Sequence, residues 1–438
     1  MIAKIKEAIE KIDQLSKTKS IKVISHYDAD GITSAAIFSR ALQRWNKPFS
    51  IQITKSLDEQ FIKSLPENQI LIFLDLASGS LNYLKDKKAD IFILDHHELI
   101  QEVPDNIFII NPLLQNHEVI SGAGICYLFA KTLSYHNKDL ASLAIIGMIG
   151  DVMEKNIGKT YNDILKDAET VIKKGLLIYP STRPLDRALE YSSNPYIPGV
   201  TGSYKGVMEL LREANIMKEN GSYKALYELN EDEMSRLTTA ILLRSHKEEN
   251  IDRMLGNLYL IKFFNKLEDA RELSALINAC SRMDQPYVSL GFCLGNKQLK
   301  EKAEKIYVEY KQHLVSALRY IEESEKISGN NYTIINAKNN IKDTIIGTVA
   351  SILSHSPVYK EGTIIIALAY DQDKIKVSAR LAGRQGRNLR EVLNQVVVPL
   401  GGEVGGHPAA AGCLISKEKE ALFIEELRKV LDPASLKV

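Results

Sequence analysis

Four short runs rich in β-branched and aromatic residues recur between longer helix-like stretches from Ser20 to Tyr191: Ile21-Lys-Val-Ile24, Ile51-Gln-Ile-Thr54, Ile70-Leu-Ile-Phe-Leu74 and Ile91-Phe-Ile-Leu94. Such runs suit strands buried on both faces, and their alternation with helical stretches predicts a mostly parallel sheet covered by helices. Three of them end in residues that a buried strand does not need. Ile21–Ile24 leads into Ser25-His26-Tyr27-Asp28-Ala29-Asp30-Gly31, Ile70–Leu74 ends in Asp75, and Ile91–Leu94 ends in Asp95-His96-His97. A fourth carboxylate, Asp151, closes the apolar run Ala144–Gly150. Ligands of open α/β sheets bind beyond the carboxyl ends of strands, so these groups are predicted to converge on one crevice.

Several carboxylates in one pocket raise one another's pKa unless a cation neutralises them. Carboxylate oxygens and imidazole nitrogens without thiolates suit manganese or a similar divalent ion better than a cysteine-rich zinc site. His26, Asp28, Asp30, Asp75, His96 and Asp151 are enough ligands for two ions with one carboxylate bridging. Two ions about 4 Å apart form a clamp for in-line displacement at phosphorus. Taken singly, each piece has a plain structural explanation: Asp28-Ala-Asp30-Gly31 as a solvated turn, Asp75 as a helix cap, Asp151 as a helix-end residue. The adjacent His96-His97 pair is harder to explain as structure alone, and the conjunction in one domain points to a site.

Farther along, Ser192–Gly202 carries Pro195, Pro198, Gly199 and Gly202 and reads as a domain exit or linker. Tyr204–Gln298 looks mainly helical and holds no catalytic motif, as expected of a spacer or partner-binding insert. Lys300–Glu323, free of Gly and Pro, is predicted to be a connecting helix. Strands at Tyr332–Ile335, Thr363–Leu368 and Ile375–Ala379, with helices near Ile345–Ser354 and Leu389–Val398, make a smaller C-terminal α/β domain. The expected division is 1–195, 196–325 and 326–438.

The C-terminal domain ends in Gly401-Gly-Glu-Val-Gly405-Gly406-His407-Pro-Ala409-Ala-Ala411-Gly412. Its glycines let backbone N–H groups face an anion, and Ala409–Ala411 is expected to start a tightly packed helix whose positive end points the same way. Upstream, Lys374, Lys376, Arg380, Arg384, Arg387 and Arg390 share a window with no acidic residue, which fits a track for a phosphate backbone. Ser378 and Arg380 are placed to reach the same anion.

The four cysteines, Cys126, Cys280, Cys293 and Cys413, form no C-x-x-C pair and imply a reducing compartment. Met1–Leu15 spaces Ile2, Ile5, Ile9, Ile12 and Leu15 as an amphipathic helix rather than a signal peptide, and the longest apolar stretch, Leu140–Gly150, is too short for a bilayer. A soluble cytoplasmic protein with no membrane contact is expected.

The segments Ser25–Gly31, Asp75, Asp95-His96-His97 and Asp151 resemble the four motifs of the DHH phosphoesterase superfamily, and Gly405–Gly412 resembles the signature of its DHH-associated C-terminal domain. Within the superfamily the chain is similar to the archaeal RecJ-like, GINS-associated exonucleases. The similarity extends to Ser121-Gly-Ala-Gly124, to Arg183-Pro184 with Asn194-Pro-Tyr-Ile-Pro198, and to Asn339-Asn-Ile-Lys-Asp343. The resemblance implies a parallel-sheet DHH domain, a helical middle and a DHH-associated domain, with the active site in the cleft between the outer domains. It implies a manganese-dependent exonuclease that degrades single-stranded DNA from the 5′ end to mononucleotides; magnesium is the alternative ion for the same two positions. It also implies association with GINS or other replisome components and a place in DNA replication or repair. Carried over by residue, His26 and Asp28 would bind one ion, Asp30, His96 and Asp151 the other, and Asp75 would bridge them. His97 would contact the scissile phosphate with Asp95 behind the histidine pair, while Arg380, Gly405, Gly406 and His407 would hold substrate phosphates.

Three alternatives stand beside this reading: a 3′ to 5′ exonuclease on single-stranded DNA or RNA, a small-nucleotide phosphoesterase, and a non-catalytic replisome scaffold. The helical residues between the outer domains argue against a small-molecule enzyme, which needs only those two domains, and the complete ligand set argues against a scaffold. The formal net charge of +1 excludes a wholly basic coat protein or an acidic tail protein. That balance is a cancellation, because residues 331–438 hold 14 basic against 11 acidic side chains while the preceding part is slightly acidic. An acidic, metal-charged wall and a basic wall for the strand are therefore expected.

Overall fold

The computed structural model describes residues 1–99, 101–115, 117–155, 157–192, 197–244, 254–356, 358–383 and 385–432. The chain forms two compact units, Met1–Glu304 and Lys305–Val438, with the helix Lys297–Glu323 running across the division. Among the described residues no helix is long and apolar enough to cross a membrane. All four cysteines are buried and outside any disulfide.

The first unit is built on a five-stranded parallel sheet of β1 (Ile21–His26), β2 (Phe49–Thr54), β3 (Ile70–Leu74), β4 (Asp90–Leu94) and β5 (Ile107–Ile110), in the order β2-β1-β3-β4-β5. The central β3 is buried along its whole length, as its unbroken apolar run requires. β5 is an addition to the four strands expected. The register pairs Ser25 with Leu74, Leu74 with Leu94 and Leu94 with Ile110, so β1, β3 and β4 end level with one another. The order reverses direction at β1, which opens a crevice beyond the ends of β1 and β3.

Three helices shape that crevice. Ala29–Arg44 starts at Asp28, whose carboxylate accepts the Gly31 N–H at 3.0 Å, and its first four turns are almost wholly buried. Gly122–Leu133 starts at Ser121, whose hydroxyl accepts the Gly124 N–H at 3.2 Å. Ala141–Gly150 ends at Asp151. Both Asp28 and Ser121 are favoured helix N-caps because they satisfy an amide that the helix itself cannot.

The remainder of the first unit is mainly helical, as expected over Tyr204–Gln298, with a small sheet that was not expected. Besides the helices Leu185–Glu190, Tyr204–Glu213, Glu231–Arg244, Ala270–Arg282 and Pro286–Cys293, it contains an antiparallel sheet of β6 (Val171–Leu176), β7 (Leu255–Phe263) and β8 (Lys266–Asp269). Phe264 and Asn265 both have positive φ and form the two-residue hairpin turn between β7 and β8. Ile197 and Val200 are fully buried in one core with Leu189, Val207 and Leu210, so the described part of the expected linker is a packed turn. Asn194, Pro195 and Tyr196 lie outside the described residues.

The second unit holds a six-stranded sheet of β9 (Ile327–Gly329), β10 (Tyr332–Asn336), β11 (Ile364–Asp371), β12 (Lys374–Leu381), β13 (Val404–His407) and β14 (Ala410–Ser416), in the order β13-β14-β12-β11-β10-β9. The helix Asp343–Ser354 joins the parallel pair β10 and β11. The expectation that Ala409–Ala411 begins a helix is overturned. Pro408 and Ala409 turn the chain back and Ala410 enters β14, paired with β12 on one side and β13 on the other. The cross-strand partners on both sides outweigh the weak helical preference of three alanines.

Candidate metal centre

The structure brings all six carboxylates and imidazoles named as metal ligands to the ends of β1, β3 and β4. His26, Asp28 and Asp75 form one group, and Asp30, Asp75, His96 and Asp151 form another; the ligand atoms within each lie no more than 4.8 Å apart. Asp75 belongs to both. Nδ1 of His26 is 3.0 Å from Asp28 Oδ2 and 3.7 Å from Asp75 Oδ2. On the other side, Nε2 of His96 is 3.0 Å from Asp151 Oδ2, 3.2 Å from Asp75 Oδ1 and 3.7 Å from Asp30 Oδ2.

These contacts are not a hydrogen-bonded network. Nδ1 of His26, Nε2 of His96 and Oδ1 of Asp75 are all buried and make no hydrogen bond. Buried polar atoms of native proteins are overwhelmingly hydrogen-bonded, so three that meet one another only as ion pairs at one spot fit a place that takes a cation. Asp75 also sits at φ +58°, in the left-handed region that side chains occupy at a cost, directly after a fully buried strand. A divalent cation meets the whole donor set at once, and hard oxygens with two imidazoles fit manganese or a comparable ion.

The electrostatics agree. Burial, then the charges of Asp75 and Asp151, hold the Asp30 carboxyl well above the usual carboxylate range. Burial likewise raises Asp151, helped by Asp75 and Asp28 and opposed by His96. Burial works against charge on His96, yet the carboxylates of Asp151, Asp75 and Asp30 outweigh it and push the imidazole up to about 12. His26 is raised well above its ordinary value in the same way, burial being outweighed by Asp28 and Asp75. Asp28 goes below the carboxylate range, because His26 and the Gly31 N–H overcome its burial. Without a cation the site holds protons where an ion would otherwise place its charge.

Support for the ligands comes partly from residues without charge. Oδ2 and Oδ1 of Asp30 accept the N–H groups of Gly122 and Ala123 at 2.6 and 2.9 Å, at the positive end of the helix Gly122–Leu133. A methyl group on Gly122 would lie 2.6 Å from Asp75 Cβ, which is why that turn carries glycine. Asp95 is fully buried and reaches His97 Nδ1 at 2.7 Å, while accepting the N–H groups of His96 at 2.8 Å and Ser78 at 2.9 Å. Nδ2 of Asn111 donates to the His97 carbonyl at 2.9 Å and to Ser78 Oγ at 3.1 Å. Sequence reasoning singled out Ser121–Gly124 only as a point of resemblance and did not find Ser78 or Asn111. The Asn111-Pro112 step just after β5 was the available signal.

In the second unit, Ser378 and Arg380 lie on β12, and Gly405, Gly406 and His407 on β13. The register aligns Arg380, Ala410 and His407 across three strands, and Ser378, Gly412 and Gly405 two residues away, which puts both rows on one face. Gly406 pairs with Ala411 and falls between the two rows. Ser378 is buried, and Arg380 Nε donates to Ser351 Oγ at 2.8 Å on the helix Asp343–Ser354. Arg384 lies outside the described residues.

Residues 20–148 match the DHH family, N-terminal domain; 178–255 the DHH-CID domain; and 329–432 the DHHA1 domain. An uncharacterized protein of Methanocaldococcus jannaschii is 29% identical over 461 residues, 98% of this chain and 99% of that protein. The single-stranded-DNA-specific exonuclease RecJ of Bacillus subtilis is 29% identical over 166 residues, 34% of this chain and 21% of that protein. The fold is shared with RecJ in complex with Mn2+ from Thermus thermophilus (TM-score 0.61, 18% identity, 99% of this chain and 55% of that one). It is shared equally with CDC45 from Entamoeba histolytica (TM-score 0.65, 13% identity, 98% and 99%). The chain thus spans about half of the Thermus RecJ chain and a smaller part of the Bacillus protein. With the parallel sheet, the acidic strand ends and the matched domains at both ends of the chain, it belongs to the DHH superfamily as a RecJ-like member.

Proposed function

We propose that this chain is a two-metal nuclease that removes mononucleotides from the 5′ end of single-stranded DNA, with manganese as the working ion and magnesium as the other candidate. The observation that carries this reading is that Asp75 has an oxygen in each of two ligand groups, as a bridging carboxylate requires. His26 and Asp28 would hold one ion and Asp30, His96 and Asp151 the other. When bound, such ions neutralise phosphodiester charge and raise the acidity of an attacking water. His97, tethered through Nδ1 to Asp95, keeps Nε2 for the scissile phosphate. Ser378, Arg380, Gly405, Gly406 and His407 would hold the strand's phosphates, Arg380 with the planar fork that suits them. The substrate class is supported by the specificity of the Bacillus subtilis relative for single-stranded DNA. A link to GINS, and through it to replication or repair, rests on the sequence resemblance.

The test is incubation with Mn2+ and single-stranded DNA labelled at either end, beside Asp28→Ala and His96→Ala. Mononucleotide appearing first from the 5′ label, and lost by at least about 100-fold in both variants, is the expected result. Release first from the 3′ label would overturn the polarity. Hydrolysis of dinucleotides or pyrophosphate alone would favour a small-nucleotide phosphoesterase. No hydrolysis with any metal, together with capture of GINS subunits, would favour a scaffold.

A further inference from the structure

We infer that Asn278, on the helix Ala270–Arg282, is a positioning residue that fixes the Asp28-Ala29-Asp30 turn so that its two carboxylates serve different ions. The inference rests on the two-ion reading and gives the helical middle of the chain a part in it. Ala29 is buried and is the first residue of its helix, so its N–H has no partner within the helix. The neighbouring carboxylates are committed elsewhere: Asp28 accepts the Gly31 N–H, and Asp30 accepts those of Gly122 and Ala123. The Ala29 N–H donates instead to Asn278 Oδ1 at 3.0 Å, from 249 residues away in sequence. Asp28 belongs to one ligand group and Asp30 to the other, so rotation of the backbone at Ala29 would displace a ligand of each.

The same helix holds the far side of the site. Arg271 Nη2 meets Glu154 Oε1 at 2.9 Å, with 13% and 11% of their side chains exposed, and Glu154 lies three residues beyond Asp151. Arg271 Nη1 donates to the Asn257 carbonyl at 3.1 Å, which ties the pair to β7. Gly150, next to Asp151, is equally confined: a methyl group there would lie 2.9 Å from Ala29 Cβ and 3.4 Å from Ser274 Oγ. One helix therefore braces the turn after β1 and the segment that carries Asp151. Groups that orient metal ligands from behind are worth about 10- to 100-fold in affinity.

The test is Mn2+ binding without nucleic acid, followed by calorimetry and electron paramagnetic resonance, in the wild type, Asn278→Leu, Asn278→Asp and Asn278→Ser. Leucine matches asparagine in size but accepts no hydrogen bond, and is expected to weaken Mn2+ binding about 10-fold or more with an altered resonance. Aspartate keeps an acceptor and is expected to restore binding, with serine between the two. Wild-type affinity in Asn278→Leu, or equal losses in Asn278→Leu and Asn278→Asp, would overturn the inference while leaving the two-ion reading in place. Absence of Mn2+ binding by the wild type would overturn that reading itself. Circular dichroism of the metal-free proteins identifies any variant that fails to fold, in which case the serine variant decides.

Discussion

Asp75 Oδ1 lies 3.2 Å from His96 Nε2, both atoms are buried, and neither makes a hydrogen bond. Charged groups buried this close together without hydrogen-bond geometry are costly, and here the cost falls on a residue whose backbone is already in the left-handed region. A fold tolerates such a concentration of strain where a ligand repays it. A cation between the two side chains would be that ligand, and the following predictions probe its consequences.

Cation binding is expected to release protons. His96 and His26 are raised by the carboxylates around them, and Asp30 is raised by burial and by Asp75 and Asp151, so an ion must displace protons held in its absence. Mn2+ affinity should rise between pH 6.5 and 8.5, by about tenfold per pH unit for each proton released, and the calorimetric heat should depend on the buffer. Affinity independent of pH would contradict this account. The sign for stability is opposite. Carboxyls with raised folded pKa, Asp30 and Asp151, contribute stability below the unfolded value of about 3.9 and lose it as pH climbs through the folded one, so the metal-free protein gains from added Mn2+ most at high pH.

Asp95 behaves in the reverse sense. Burial opposes its charge, but the bond to His97, the charges of His97 and His96, and the Ser78 side chain hold it well below the usual carboxylate range. Its contribution is present above about pH 3.9 and fades as pH falls through the folded value. Asp95→Asn is expected to cost about 1–3 kcal/mol at pH 7 and less near pH 2, measured by urea unfolding. An equal loss at both pH values would contradict the assignment.

Gly147 allows no side chain. A methyl group there would lie 2.4 Å from Asp30 Oδ1 and 2.5 Å from Ala123 Cβ, between two helices that cannot both retreat. Gly147→Ala is expected to lower stability by about 1–3 kcal/mol and to weaken Mn2+ binding. Wild-type melting and binding together would show that the helices are not packed as described.

Arg380→Ala is expected to weaken single-stranded DNA binding and reduce the slope of log affinity against log salt by about 1, with Mn2+ binding unchanged. Filter binding across a salt series measures it. An unchanged slope would remove Arg380 from the phosphate contacts.

The acidic strand ends were legible because β-branched runs fix where β1, β3 and β4 stop, and the residues after those stops are what a sheet crevice exposes. β14 was not legible: Ala410-Ala-Gly-Cys-Leu-Ile-Ser416 carries little local strand preference and takes its form from pairing with β12 and β13. The β7–β8 hairpin was hidden by a Phe264-Asn265 turn that carries no glycine. The partners of the ligands were hidden for a different reason. Gly122 and Ala123 meet Asp30, and Asn278 meets Ala29, across separations that no local pattern encodes.

The most direct test is diffraction from crystals grown with Mn2+, recorded at the manganese absorption edge. Two anomalous peaks about 4 Å apart are expected, one beside His26 and Asp28, the other beside Asp30, His96 and Asp151, with Asp75 between them. A single peak, or peaks away from Asp75, would contradict the two-ion account.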